Sequence, residues 1–220
     1  MRWWNPFSSP APEPLQLLRC VRLPLPGWSE YPQAKDRRLW LNSEREAITL
    51  TVNTRSYPWF ERGEELEIRN WTREFAENKG AGLIEVRTKH LRASFIFKEL
   101  KMPAYYYTGV LFTRISNMSV IWTATARELG TTGVREAVVT ATLMNEGKLA
   151  PQDYERRWGQ DPYEPAYRGV DKSVLRFMSD DESYDEQFPR HPLSKIRHTL
   201  AALPRNVAYD SLGARADGGG

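Results

Sequence analysis

The strongest constraint on the fold lies between residues 82 and 126, where four apolar-rich segments follow one another: GLIEVRT, LRASFIFK, YYYTGVLFTR and MSVIWTATA. In the last segment, from Met118 to Ala126, every second residue is apolar. This period of two is typical of a strand with one buried face. The connections between the segments are short, which favours antiparallel pairing. We therefore expect a sheet built from neighbouring hairpins.

Further strands are predicted before this run. Ile48, Leu50 and Val52 alternate with threonines, and Asn42 and Ser43 mark the turn of a hairpin that contains them. Residues 18–23 read as a first strand, because prolines follow them and a proline cannot donate to a sheet.

Three segments show helical spacing. The stretch from Glu64 to Lys79 has acidic residues at its start and Gly80 after its end. A C-terminal helix is expected to start at a Ser194 cap and to carry Ile196, Leu200 and Leu203. In the remaining segment, GTTGVREAVVTATLMNEGK, we expect one apolar face to pack on the sheet. That face comprises Val134, Ala137, Val138, Ala141 and Met144.

This order predicts an α+β fold, with an antiparallel sheet of about six strands packed between helices and a helical C-terminal extension. We divide the chain into a flexible arm rich in aromatic residues and proline (1–14), an α+β domain (15–150), a helical and loop extension packed on it (151–205) and a disordered tail (206–220).

Charge and composition exclude several function classes. The chain has 31 basic and 28 acidic residues, and it has no basic run of five, so we expect no nucleic-acid partner. No stretch of 18 apolar residues occurs, so we expect no membrane insertion and a cytoplasmic location. Cys20 is the single cysteine, which rules out a disulfide within the chain and predicts a small buried apolar side chain.

The stretch GTTGVREAVV poses the question of an anion site. It lacks the lysine of a phosphate-binding loop and the three spaced glycines of a dinucleotide site. We therefore predict a helix cap from Thr131 or Thr132. An anion bound by Thr131, Thr132 and Arg135 at the helix start is the alternative.

No local motif for catalysis or metal binding is present, and we predict no catalytic residue, no metal and no cofactor. The acidic run from Asp180 to Glu186 precedes His191. It is interpreted as a solvated loop, with a metal site or a carboxylate–imidazole pair as the alternative.

Three consecutive tyrosines, Tyr105, Tyr106 and Tyr107, place rings on both faces of their strand. Together with Trp122 they are our candidates for a partner-binding surface. The alternative is a sheet covered on both faces, which would bury them.

The segments GTTGVREA and DDESYDEQFPRHPLS, with GAGLIEV and YYYTGVLF, resemble a family of uncharacterised bacterial proteins, and this resemblance implies no site residue. The order of elements also resembles PsbP-like and MOG-like domains. That resemblance implies protein binding, since such domains include adaptor chaperones that hold hydrophobic segments of secreted toxins.

We therefore expect a non-enzymatic protein-binding or adaptor module. Two alternatives stay open: an enzyme or small-anion-binding protein that uses the start of the GTTGVREA helix, and a structural component of a secretion or phage-like assembly.

Overall fold

The computed structural model describes residues 13–31, 36–54, 57, 64–89, 92–115 and 118–209. Its strands are β1 (Val21–Arg22), β2 (Trp28–Tyr31), β3 (Arg37–Asn42), β4 (Ala47–Asn53), β5 (Gly82–Lys89), β6 (Arg92–Lys101), β7 (Ala104–Ile115), β8 (Met118–Arg127), β9 (Gly159–Gln160), β10 (Arg176–Phe177) and β11 (Ala208–Tyr209). Its α-helices are α1 (Pro14–Cys20), α2 (Glu65–Glu77), α3 (Val134–Asn145), α4 (Tyr154–Arg157) and α5 (Pro192–Asn206).

Seven strands form one antiparallel sheet in the order β2-β3-β4-β8-β7-β6-β5. The predicted α+β class is therefore confirmed, with one strand more than expected. The long central strands β7 and β8 are paired from Tyr106 opposite Arg127 to Ile115 opposite Met118. Among the described residues, no helix has the length and apolar character needed to cross a bilayer.

The alternation along the strands divides the core between the two faces of the sheet. Val110 and Phe112 pack with Ile68 and Ala76 of α2 on one face. On the other face, Leu111 and the even-numbered apolar residues of β8 pack with α1 and α5. Where α5 crosses β7, an added Cβ on Gly109 would lie 2.5 Å from Ile196 Cγ2. Glycine therefore permits the close approach of helix and sheet.

The C-terminal extension crosses the edge strand β5. The Tyr163 hydroxyl accepts a hydrogen bond from Val86 N at 2.7 Å and donates to Val86 O at 3.1 Å. Asp161 accepts two hydrogen bonds from Arg73 of α2. This contact covers an edge that would otherwise offer free backbone groups to another strand.

Several boundaries differ from the sequence predictions. Residues 14–20 form a helix because Pro14 starts α1 and Leu17 and Leu18 bury their side chains against the sheet. Helix α5 is capped by His191 rather than Ser194.

The ends of the chain also depart in part from expectation. Helix α5 extends to Asn206, and Ala208–Tyr209 pairs with Val21–Arg22, so the predicted tail is ordered as far as residue 209. The predicted arm up to residue 12, and the tail from 210 to 220, lie outside the described residues. Cys20 is half-buried at the end of α1.

Helix α3 packs with the opposite face from the one predicted. It buries Arg135, Glu136, Val139 and Leu143. Of the apolar face expected to pack, Val134, Ala137, Val138 and Ala141 are instead exposed, and Met144 is half-buried. The only two charged residues of the helix thus point into the protein.

Candidate functional site: a buried ionic network beneath helix α3

Arg135 is enclosed by the C-terminal segment. Its guanidinium donates to Ser179 O at 2.6 Å, to Asp185 Oδ1 at 3.0 Å, to Ser194 Oγ at 2.9 Å and to Asp181 O at 2.9 Å. The side chain has no exposed surface. Its donors are occupied by protein acceptors, so Arg135 does not offer them to an external anion.

Neither threonine of the alternative anion site caps α3. Gly133, with φ of 79°, occupies the N-cap position of α3 and makes no side-chain cap. The Thr132 hydroxyl donates to Pro103 O at 2.9 Å, and Thr131 is exposed on a neighbouring cavity wall. The predicted threonine cap is therefore wrong. Thr131 and Arg135 line the same cavity, but the Arg135 guanidinium is bound by protein acceptors, so the alternative anion site at Thr131, Thr132 and Arg135 stays a prediction.

Asp185 connects α3 to α5. Its Oδ1 atom accepts from Arg135, from Ser194 Oγ at 2.9 Å and from Arg197 Nη1 at 2.9 Å. Arg197 also donates to Asp180 O at 2.6 Å and to Glu85 Oε2 at 2.9 Å. The predicted solvated loop is therefore wrong for Asp180 and Asp185, which are 0% and 8% exposed. They are buried because Arg135 and Arg197 pair with Asp185, and because Lys98 pairs with Asp180.

Lys98 forms a second buried ion pair. Its Nζ atom lies 2.7 Å from Asp180 Oδ2 and 3.2 Å from the centre of the Phe177 ring, and both charged side chains are fully buried. Asp180 Oδ2 also accepts from Phe177 N at 2.8 Å. Burial lowers the pKa of Lys98, and the neighbouring carboxylate of Asp180 opposes that shift.

Glu128 and His191 form a third pair, with 3.1 Å between His191 Nε2 and Glu128 Oε1. Leu193 N donates to His191 Nδ1 at 3.2 Å. Because Nδ1 acts as an acceptor, the imidazole proton resides on Nε2 and is donated to Glu128. This is the carboxylate–imidazole pair left open by the sequence, but its carboxylate comes from the end of β8 and not from the acidic run.

Two further polar groups face this pair. Glu136 is 9% exposed, and neither of its carboxylate oxygens has a hydrogen-bond partner among the described residues. Burial raises the pKa of Glu136, and Asp180 acts in the same direction. The buried Tyr107 hydroxyl also has no hydrogen-bond partner in the residues that the structure describes, and the Tyr107 ring lies 5.2 Å from that of His191. Burial raises the pKa of Tyr107 well above its usual value.

A cavity of about 720 Å³ opens beside this network. Glu128, Arg135 and His191 line its inner wall, and Leu129 and Val134 line its apolar side. Arg127 and Arg190 also line it. Both of these arginines are exposed, and within the described part of the chain neither has an ion-pair partner.

The predicted aromatic surface is divided between core and periphery. Tyr107 is 0% exposed and Trp122 is 2% exposed, so neither can contact a partner. Both lie in the core beneath α1 and α5 because their strand positions point to that face. Tyr105 and Tyr106 are half-buried. Burial raises the pKa of Tyr105 to about 12, and Glu136 adds to this shift.

Sequence reasoning missed this network because its members are distant in the chain. Glu128 and His191 are 63 positions apart, and Lys98 and Asp180 are 82 apart. One local signal was present. The only two charged residues of α3, Arg135 and Glu136, are adjacent in the sequence. They therefore lie on the same side of the helix, so that burying one brings the other towards the interior as well.

The comparisons with known proteins assign no family. No protein-family model matches the chain, and no curated protein matches it. Similar solved structures include a point mutant of the protein Mog1, with 9% identity and a TM-score of 0.43, covering 87% of this chain and 92% of that one.

Two further structures are similar over less of this chain. The Saccharomyces cerevisiae Ran-binding protein Mog1p has 11% identity and a TM-score of 0.38, covering 71% of this chain and 93% of its own. A Bacteroides thetaiotaomicron structure has 15% identity and a TM-score of 0.29, covering 48% and 37%. With TM-scores below 0.5, these similarities assign neither a fold family nor a function to this chain.

Proposed function

We propose that this chain is a protein-binding module whose docking surface is the exposed face of α3, together with Leu129. The observation that carries the proposal is the orientation of α3. Arg135 and Glu136 are buried, while Val134 and Val138 are 49% and 40% exposed. Ala137 and Ala141 complete the exposed face.

This orientation leaves an apolar stripe in solvent. The positions 134, 137, 138 and 141 follow helical spacing, so their side chains form one continuous strip. Covering apolar surface contributes roughly 25 cal/mol per Å² before ordering costs are subtracted. Alanine and valine are small, so a second helix can approach α3 to about 8–10 Å. Leu129 is 56% exposed and lines the same cavity as Val134, which extends the strip.

The charges beside the strip indicate the partner's chemistry. Arg127 and Arg190 are exposed on the cavity that Leu129 and Val134 line, and no described carboxylate pairs with either. The occupant we propose is therefore an amphipathic helix of another protein, with an apolar face and acidic residues beside it. Complementary charge of this kind raises association rates and selects between partners.

Two synthetic helices of roughly 20 residues test the proposal, since that length is sufficient for helix formation. Both carry the same Leu and Ala face, and the other positions are Glu in one peptide and Lys in the other. Fluorescence anisotropy should show tighter binding of the acidic peptide. The double variant Val134→Glu/Val138→Glu should weaken that binding by at least about ten-fold.

Leu66→Glu is the matched control, because Leu66 is an apolar residue of α2 with 68% exposure. It should bind the acidic peptide like the wild type. All variants should keep their unfolding free energy within about 0.5 kcal/mol, because the replaced side chains are exposed.

Four results would overturn the proposal. They are equal binding of the two peptides, no binding of either, retained binding in the double variant, and equal loss in Leu66→Glu. If the double variant instead abolished binding to phosphatidylglycerol vesicles, or abolished self-association in sedimentation, the strip would belong to a lipid surface or to a second copy of the chain.

A further inference from the structure

Within the described part of the chain, the buried carboxylates of Glu128 and Glu136 beneath α3 form no salt bridge with a lysine or an arginine, although Lys98 attracts both from a distance. Among the described residues, the buried cations are committed elsewhere, Lys98 to Asp180 and both Arg135 and Arg197 to Asp185. Among the residues that the structure describes, the Glu128 carboxylate bonds to His191 through one oxygen, and no hydrogen-bond partner exists for its Oε2 atom or for either oxygen of Glu136. Buried charged groups are normally paired or bound to a metal.

The geometry of these groups fits a single ion. One ligand atom from each of Glu128, Glu136 and His191 lies within 4.8 Å of the other two. Ligands on opposite sides of an ion with bonds of about 2.0–2.5 Å are separated by roughly 4–5 Å. One cation can therefore contact both carboxylates with little movement of either side chain.

Tyr107 supplies an independent indication. Its side chain is 0% exposed, its hydroxyl has no hydrogen-bond partner in the described part of the chain, and its ring packs against His191 at 5.2 Å. A neutral hydroxyl oxygen is a suitable further ligand for an ion that prefers oxygen.

His191 does not act as a ligand of the ion, in contrast to the two carboxylates. Its Nδ1 atom accepts the Leu193 N–H that caps α5, so the proton is on Nε2 and that nitrogen has no free lone pair. His191 is therefore a positioning residue that holds Glu128 by a hydrogen bond, as outer partners of metal-binding carboxylates do. The remaining donors are all oxygens, which suits hard cations.

We propose that Glu128 and Glu136 bind one hard divalent cation of the Mg²⁺, Ca²⁺ or Mn²⁺ class, with the Tyr107 hydroxyl as a further ligand and His191 orienting Glu128. Glu128 lines the 720 Å³ cavity, which gives the ion a route from solvent. The site lies on the inner side of the helix whose outer side is the proposed docking surface, and it does not depend on that function.

The test uses the full chain after treatment with a chelator. Calorimetric titration with MnCl₂, MgCl₂ and CaCl₂ should give one ion per chain for at least one of them. At a concentration about a hundred-fold above its Kd, that ion should raise the unfolding midpoint by about 5–10 °C. Glu128→Gln and Glu136→Gln should each weaken binding by at least ten-fold, with no shift of the midpoint at the same concentration.

Glu146→Gln is the matched control, because it removes the same charge from the exposed C-cap of the same helix. It should bind like the wild type. His191→Gln should weaken binding by about 10–100-fold, as loss of an outer partner does. Electron spin-echo spectra of the Mn²⁺ complex should lack the coupling of a directly bound histidine nitrogen.

Paramagnetic broadening locates the ion without any variant. Mn²⁺ should broaden the amide signals of Glu128, Glu136 and Leu193 and leave those of α2 sharp. Any of the following would overturn the proposal: absence of binding of all three ions, undiminished binding in Glu136→Gln, a bound histidine nitrogen, or broadening centred elsewhere. A carboxylic-acid infrared band that Glu136→Gln removes, in protein that binds no ion, would assign a shared proton instead.

Discussion

Lys98→Met tests whether the ionic network determines stability. Lys98 and Asp180 are both fully buried, with 2.7 Å between Nζ and Oδ2. At that distance, and with an effective dielectric constant of about 20, two unit charges attract by about 6 kcal/mol. Desolvating each ion opposes this by several kcal/mol, so the net contribution of the pair is small.

Removing one partner of the pair lowers the free energy of unfolding by much more than the pair as a whole contributes to it. Lys98→Met would leave the Asp180 carboxylate buried and exposed to repulsion from Glu136, with Phe177 N as its remaining hydrogen-bond donor among the described residues. Stranding a buried charge in this way costs about 3–5 kcal/mol. For a chain of this size the unfolding midpoint should fall by about 6–20 °C.

The double variant Lys98→Met/Asp180→Asn separates charge from packing. The introduced amide would carry no charge, and its side-chain oxygen could still accept from Phe177 N. The double variant should therefore be more stable than Lys98→Met alone, with a coupling energy of at least about 1 kcal/mol. Urea unfolding followed by tryptophan fluorescence measures the double variant and both single variants.

Lys101→Met is the matched control for this cycle. Lys101 lies on the same strand and pairs with Glu99, but its side chain is 61% exposed. Its loss should change the unfolding free energy by no more than about 0.5 kcal/mol. The reasoning would be refuted if Lys98→Met were no more harmful than Lys101→Met, or if the double variant lost the sum of the two single effects.

Two further predictions follow from the packing and from Glu136. Gly82→Ala should lower the unfolding free energy by about 3 kcal/mol or more, because its Cβ would overlap the backbone of Val174. Gly109→Ala should cost less, because it meets the side chains of Ile196 and Leu200; equal urea midpoints for the two variants would contradict this difference. In chelator-treated protein, the raised pKa of Glu136 means that the folded state binds the extra proton, so stability should fall as pH rises from 4.5 through that pKa. Glu136→Gln should remove this dependence in thermal scans at several pH values, and a dependence that survives in the variant would assign it to another group.

The sheet could be predicted because its signal is local. The alternation from Met118 to Ala126 and the short connections before it specify hairpins without information from distant residues. The strand predicted at residues 18–23 is confirmed only for Val21–Arg22, which form β1, and residues 18–20 end α1, because a short apolar run does not distinguish a strand from a helix. Pro14 and the burial of Leu17 and Leu18 decided in favour of α1.

The candidate site could not be predicted because hydrophobic periodicity gave the wrong face of α3. Val134 and Val138 obey the helical repeat, yet the inward side of α3 carries Arg135 and Glu136. A buried arginine is tolerated only where enough hydrogen-bond acceptors surround it. For Arg135 these acceptors include Ser179 O and Ser194 Oγ, which are distant in the sequence. Spacing within a single helix carries no information about them.

The acceptors that enclose Arg135 also impose an order on synthesis. They are encoded 44 to 59 positions after the arginine. At a translation rate of about 5–20 residues per second, Arg135 is made roughly 2–9 seconds before the first of its acceptors. By the end of that interval the strands of the main sheet and α3 have been synthesised, but the groups that accept hydrogen bonds from the Arg135 guanidinium have not. The segment from Ser179 to Ser194 therefore fixes α3 against the sheet only late in synthesis. In a nascent chain halted before this segment, the Arg135 side chain of α3 would lack its hydrogen-bond acceptors.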